Sequence, residues 1–534
     1  MTDRRVIAIG LDGFELSIAE AMMKDGRLPR LKKLDKTATR YLLDHGDARE
    51  TGLAWEHFAT GQEPDGYERW SAVEFDPSTY TAVQAPTRSE AFLSEVEIPT
   101  VAFDVPYMQL KGTAALRGMA NWGAHDPGVA QHANPSGLTD EIFDKFGDYP
   151  AKRYIYGFVW PDPDAAEDMA SSMIEAMEKR TEITSWLLKE RLPDWTLAIT
   201  VVAELHSVAE ALWHGIDENH PLHGQPSAAA ARRGVEGVYE ATDRMIARLQ
   251  DEHPDAELVI FSMHGMGPNR ADIASMCLLP EVMYRRSFGR PYLHARKDWT
   301  GPCPQLGVGE DWNDAVNKQL GIVDPRTQER GFLAKMARRT NRFLDRKAGR
   351  KVPASLGWMP AARYAPFWPK MDAFALPAFY DGQIRVNLIG RERAGRVSAE
   401  NYPAFLDGLE ETLLALRDPY TGEQAVAAVD RPLKDDPFAK TETRCDLKIM
   451  WTQNSYALEA AGIGRVGPVP QRRTGGHTGA HGYALIDGKD RQMLNAGVVS
   501  SFDMVPTILN LAGIKLTGRV AGQSLVVEPT AASS

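Results

Sequence analysis

The stretch VIAIGLDG, Val6 to Gly13, decides the fold. A short apolar run closed by Asp-Gly suits a buried parallel strand that delivers Asp12 to its C-terminal edge. Similar β-rich runs occur at IPTVAFDVP (98–106), WTLAITVVAE (195–204), ELVIFSMHG (257–265) and GQIRVNLIG (382–390), each ending in polar, Gly or Pro residues. Helical patterns lie between them, at 165–191 and 234–253. Strands alternating with helices point to an α/β sheet covered on both faces, in which ligand sites gather beyond the strand C-termini. The polar residues at those ends therefore carry the functional question.

Composition narrows the class. The 534 residues allow a sizeable core, and 43% hydrophobic with 25% charged residues is ordinary for a soluble globular chain. A net charge of -11 argues against a nucleic-acid polymer as partner, because a polyanion is repelled at long range. Cys277, Cys303 and Cys445 are odd in number and far apart, which suggests neither a disulfide framework nor a thiolate metal site. The start MTDRRVIAIGLDG is too short in apolar residues for a signal peptide, and no run approaches the roughly 20 needed to span a bilayer. The expectation is a cytoplasmic protein with no membrane partner.

One region interrupts the rhythm. Residues 281–375 are rich in Arg, Trp and Pro and read as a cap inserted into a discontinuous core of 1–280 and 376–525, with 526–534 a disordered tail. Within the cap, 326–351 carries ten Lys/Arg against two acids, with Phe332, Met336 and Phe343 at helical spacing. It reads as a solvated helix with its apolar stripe on the core, or as a rim for an anionic substrate. Trp299, Trp312, Trp358 and Trp368 offer either an apolar substrate surface or core.

Several polar residues stand at element ends. Asp12 follows the first strand. Thr51, in RETGLAWEHFATG (49–61), precedes an expected helix, where backbone N–H groups favour a phosphoryl oxygen; the plain alternative is an N-cap. His206 and Glu210 are four apart after an apolar strand, so on a helix both face one way and can share a cation. His214 continues that face. His264 ends another strand, while His477 and His481 lie in the glycine-rich RTGGHTGAHGYALIDG (473–488).

The ordered set DG, T-x8-TG, HxxxE, SxHGMG and GGHxxxHG resembles the alkaline phosphatase superfamily, in its type I phosphodiesterase/nucleotide pyrophosphatase branch. Framework stretches such as AWEHFATGQEPDGY, LRDPYTGE and DMVPTILNLAGI extend the resemblance over most of the chain outside the cap. It implies a three-layer α/β/α sandwich with a mostly parallel sheet, and hydrolysis of phosphodiester or nucleotide pyrophosphate bonds through a phosphothreonine. It also implies two divalent ions, Zn²⁺ above Mn²⁺ or Fe. Asp12, Thr51 and His264 would form one site and His206, Glu210 and His477 the other, with Thr51 the nucleophile. Arg49, Arg472, His481 and His214 are the candidates for binding substrate.

Two departures qualify the metal set. Met263 stands where the family has Asp, and a thioether is a poor ligand for such ions, so the first site would be weak. His206 and Glu210 exchange the residue types of the family DxxxH pair, which preserves one carboxylate and one imidazole. Phosphonate monoesters, phosphomonoesters and sulfate esters are alternative substrates on the same site. A metal-poor binding protein on the hydrolase scaffold is the alternative of another class. Oligomeric state is left open, with a homodimer as one option.

Overall fold

A computed structural model describes residues 4–87, 90–123, 130–155, 162–294, 299–301, 303–307, 310, 312, 314–316, 356–433, 436–438, 445–453, 455–515 and 519–527. The chain forms two compact units. The first comprises Met1–Arg69, Thr87–Pro268 and Arg473–Ser534; the second comprises Trp70–Pro86 and Asn269–Arg472, and 281–375 falls inside it together with 376–472.

The first unit is built on a nine-stranded sheet. Its strands, in chain order, are β1 (Val6–Leu11), β2 (Thr39–Asp44), β3 (Thr100–Phe103), β4 (Leu116–Ala120), β5 (His132–Asn134), β6 (Leu197–Val202), β7 (Glu257–Ser262), β8 (Gly482–Asp487) and β9 (Gly497–Ser500). They are ordered β9-β2-β8-β7-β1-β6-β3-β4-β5. β1 runs parallel to β6 on one side and β7 on the other, with Val6 opposite both Leu197 and Glu257. The C-terminal ends of these three strands therefore lie side by side.

Alternation along β1 shows why the sheet is covered twice. Ile7, Ile9 and Leu11 point into one core, with Met169, Met173 and Met177 of helix Pro163–Trp186 and with Val235, Val238 and Ile246 of helix Ala228–Glu252. Val6 and Ala8 point into the other, with Trp55, Phe58, Met504 and Ile508. A period of two puts successive side chains on opposite faces, so a strand apolar at every position must be sandwiched. Helix Pro163–Trp186 starts where Asp162 Oδ1 accepts the Ala165 N–H at 2.9 Å, with Pro163 in its first turn. The α/β/α reading of the sequence holds.

β2, β4, β5, β8 and β9 lie outside the runs expected as strands. β8 runs antiparallel between β2 and β7, within a sheet that is otherwise mostly parallel, as expected.

The second unit contains a four-stranded antiparallel sheet in the order Ala373–Leu376, Gly382–Val386, Leu447–Trp451 and Val426–Asp430. GQIRVNLIG thus supplies a strand, but an antiparallel one outside the nine-stranded sheet. Its Ile384 and Val386 are buried like a parallel strand's residues, which is why composition alone misplaces it. Trp368 stacks on Phe374 with ring centroids 5.0 Å apart, and Trp312 is also buried, so these two tryptophans are core. Trp358 is half-buried with the Arg472 guanidinium 4.6 Å over its ring.

The basic segment 326–351 and residues 528–534 of the tail lie outside the described residues. All three cysteines are buried and none is in a disulfide. Among the described residues no helix is long and apolar enough to cross a membrane.

Candidate active site

Four chain segments of the first unit bring the candidate residues together. Asp12 follows β1, its N–H bonded to the Val202 carbonyl at 3.0 Å. β6 leads into a short helix, Glu204–Leu212, all nine residues of which are buried; it carries His206 and Glu210. β7 leads into Met263 and His264, and the loop before β8 carries Arg473 and His477.

Two glycines permit the approach. A Cβ at Gly13 would lie 2.7 Å from the His206 Cα, and its φ of +73° already favours glycine. A Cβ at Gly475 would lie 2.0 Å from the Ala209 carbonyl oxygen. The first turn of the Glu204–Leu212 helix is held from behind by a fully buried cluster. Arg180 donates to Glu204 Oε2 at 2.9 Å and Oε1 at 3.0 Å, and to Asp104 Oδ2 at 2.7 Å, while Asp104 also accepts from the Trp122 and Gly123 N–H groups. Every charge in this cluster is paired, which burial requires.

The donors form a continuous row. Trp55 Nε1–H donates to Asp12 Oδ1 at 2.7 Å, and the same oxygen lies 3.4 Å from His264 Nε2. The His264 and His477 rings are 4.4 Å apart. His477 Nε2 lies 3.1 Å from His206 Nε2, which lies 3.5 Å from Glu210 Oε1. Arg473 Nη1 donates to that same Glu210 oxygen.

Burial shapes the charges. Burial pushes the Asp12 carboxyl up, but His206, His264 and Trp55 outweigh it and hold Asp12 below its ordinary value. Burial lowers His206 to about 4, so at neutral pH the imidazole keeps a lone pair free for a cation.

Ligand atoms of His206, Glu210 and His477 all lie within 4.8 Å of one another. Two imidazoles and a carboxylate suit a divalent ion of borderline softness. Glu210 Oε2, buried, has no hydrogen-bond partner among the described residues, as an oxygen reserved for a cation would. The second expected set therefore fits a metal.

The first expected set is less complete. Asp12 and His264 meet, but Met263, 1% exposed, packs in the apolar core with Val6, Trp55 and Phe261. Thr51 ends a 3-10 turn, Gly46–Thr51, ahead of the helix Ala54–Thr60, whose N-cap is Leu53 rather than Thr51. Its hydroxyl donates to the Ala48 carbonyl at 2.8 Å and accepts the Leu53 N–H at 3.0 Å. His57 Nε2 lies 3.5 Å from that hydroxyl, and His57 Nδ1 lies 2.8 Å from His45 Nε2. Burial drives His45 down to about 3 and His57 well below the ordinary imidazole value, so both are neutral at pH 7.

The substrate-binding candidates separate. Arg49 and His481 are exposed on the first unit. His214, 1% exposed, bonds Ser227 Oγ at 3.1 Å through Nε2. Arg472 belongs to the second unit, where it pairs with Asp272 Oδ2 at 2.9 Å. Sequence reasoning missed Trp55, Arg180 and Arg473. The first two look like packing and helix-surface residues in sequence, and Arg473 meets Glu210 across 263 positions.

A cavity of about 650 Å³ opens beside Gln62, Glu63, Phe92 and Arg519, and none of the residues in the row lines it.

The family model described as type I phosphodiesterase/nucleotide pyrophosphatase matches residues 6–301. No curated protein matches the chain. Among solved structures, phosphonoacetate hydrolase from Sinorhizobium meliloti 1021 with phosphonoformate is similar at 14% identity and a TM-score of 0.47, over 96% of this chain and 95% of that one. Murine ectonucleotide pyrophosphatase/phosphodiesterase 5, in an inactive form with AMP, is similar at 9% identity and 0.44, over 98% and 100%. The alkaline phosphatase PafA is similar at 12% identity and 0.47, over 98% of each chain.

Proposed function

The chain belongs to the type I phosphodiesterase/nucleotide pyrophosphatase family and is a phosphoric ester hydrolase, and we propose that it cleaves phosphodiester or nucleotide pyrophosphate bonds of small molecules with Thr51 as nucleophile. The observation that carries this reading is the gathering of His206, Glu210 and His477 within 4.8 Å, in a row that continues through His264 to Asp12. Asp12, Thr51 and His264 would hold one divalent ion and His206, Glu210 and His477 a second, with Zn²⁺ ahead of Mn²⁺ or Fe. Such ions, when bound, supply Lewis acidity that stabilises charge on the attacking, departing and non-bridging oxygens.

The chain's own residues do the rest. Thr51 Oγ1 loses its proton to solvent and attacks phosphorus in line, the leaving alcohol or phosphate departs with the electrons of the broken P–O bond and takes up a proton, and a phosphothreonine forms. Water then attacks that phosphorus from the side opposite Oγ1, the Oγ1–P bond breaks, and Oγ1 takes up a proton that the water releases, restoring the threonine. Trp55 holds the Asp12 carboxylate in one orientation, so little rearrangement is needed during reaction. Arg49 and His481 are the exposed side chains we assign to non-bridging oxygens. The three buried thiols, none in a disulfide, accord with a reducing, cytoplasmic setting.

One pair of observations favours a second reading, a metal-poor binding protein. Met263 sits in the core and Arg473 already neutralises Glu210. Turnover of bis-p-nitrophenyl phosphate, measured with added Zn²⁺ or Mn²⁺ beside metal analysis, separates the two. The hydrolase reading expects metal-dependent turnover that Thr51→Ala abolishes; no bound metal and no turnover would establish the binding protein instead.

A further inference from the structure

Arg473 is the one cation in the row of donors, and its position has a consequence for metal uptake. We infer that Arg473 is a built-in competitor for the second cation, so that metal binding at His206, Glu210 and His477 is coupled to binding of a phosphate-like anion. The inference rests on the proposed reading of those three residues as ligands.

Arg473 Nη1 donates to Glu210 Oε1, the oxygen that faces His206 Nε2 at 3.5 Å. Glu210 is 1% exposed and the Arg473 side chain 12% exposed, so water screens the pair little. A guanidinium stays charged at every working pH, and no proton release removes it. The Arg473 backbone cannot simply swing away. The next residue, Thr474, donates its N–H to the Glu210 carbonyl at 2.9 Å, and Gly475 presses on the Ala209 carbonyl.

Charge counting then sets the behaviour. The Glu210 carboxylate is paired with the Arg473 guanidinium, so the charge it would offer a cation is already offset. A divalent ion entering beside this pair brings two positive charges into a buried place, whichever Glu210 oxygen it takes. A phosphate dianion brings the two missing negative charges. Arg473 therefore weakens the metal when it arrives alone and favours it when a phosphoryl group arrives too. By linkage, metal tightens the anion by the same factor.

The test is equilibrium Mn²⁺ binding, followed by the EPR signal of the free ion, with and without inorganic phosphate. In the wild type, phosphate is expected to tighten Mn²⁺ by at least about fivefold. Arg473→Met should bind Mn²⁺ about tenfold or more tightly without phosphate, and the effect of phosphate should shrink. Arg473→Lys, which keeps the charge, should resemble the wild type; Arg473→Gln replaces Arg473→Met if the latter fails to fold by thermal melt. Unchanged or weaker Mn²⁺ binding in the folded Met or Gln variant overturns the role of Arg473. His477→Ala distinguishes the two levels. If it abolishes Mn²⁺ binding in both backgrounds, the ligand reading stands whatever Arg473 does; if it leaves binding unchanged, the ligand reading falls and takes the inference with it.

Discussion

His206 and His477, 271 positions apart in the chain, place their Nε2 atoms 3.1 Å from one another. Two imidazole nitrogens at that distance either share a proton or turn their lone pairs on a common cation. Burial lowers His206 to about 4, which disfavours the charged imidazolium.

Removal of either His477 or Glu210 should therefore empty this site. His477→Ala and Glu210→Gln are expected to weaken Zn²⁺ binding by more than about a hundredfold, since loss of a direct ligand exceeds the usual effect of an outer partner. Bound zinc after dialysis measures it. Retention of full metal content in both variants would contradict the ligand reading.

On the proposed reading Thr51 has two roles that separate on substitution. Thr51→Ala should lower turnover of bis-p-nitrophenyl phosphate by at least about a thousandfold, as loss of a nucleophile does elsewhere. It should also destabilise the fold by about 1–3 kcal/mol, because the buried Leu53 N–H loses its acceptor. Thr51→Ser restores both in part. A purely structural threonine would show the stability loss without the kinetic one.

Met263 tests which side of the sheet its position serves. Because its side chain is packed among Val6, Trp55 and Phe261, Met263→Asp should not simply complete a metal site. It places a carboxylate in an apolar core, where a pKa raised by about 3 units costs about 4 kcal/mol at neutral pH. Urea unfolding checks this; a variant as stable as the parent in chelator would show that the position can turn to the site.

Acid should unfold the metal-free protein early. Burial lowers His45 to about 3, and His214 and His220 to about 4, against an ordinary value of 6.5. Above 6.5 neither folded nor unfolded forms protonate and the stability is complete. As pH falls below 6.5 the unfolded chain takes up protons that these folded histidines refuse, so stability declines down to the folded values. Each contributes about 1.4 kcal/mol per pH unit in that window. Urea midpoints at pH 7.5 and 5.5, in chelator, should differ clearly; equal midpoints would mean these rings are hydrated and titrate normally.

The sequence by itself determined what depends on near neighbours. VIAIGLDG, WTLAITVV and ELVIFS are apolar at successive positions, a pattern that only a strand covered on both faces accommodates, and their polar ends announced Asp12, His206 and His264. His206 and Glu210 share a face because four residues make about one helical turn. Tertiary structure alone decided the rest. β8 enters antiparallel beside β7, and Gly382–Val386 joins a different sheet, since a mostly buried strand looks the same in either setting. Arg473 meets Glu210 across 263 residues, and Trp55 meets Asp12 across 43. Such pairings follow from which loops the sheet order brings side by side, and a charge carries no mark in sequence of the partner that burial will press against it.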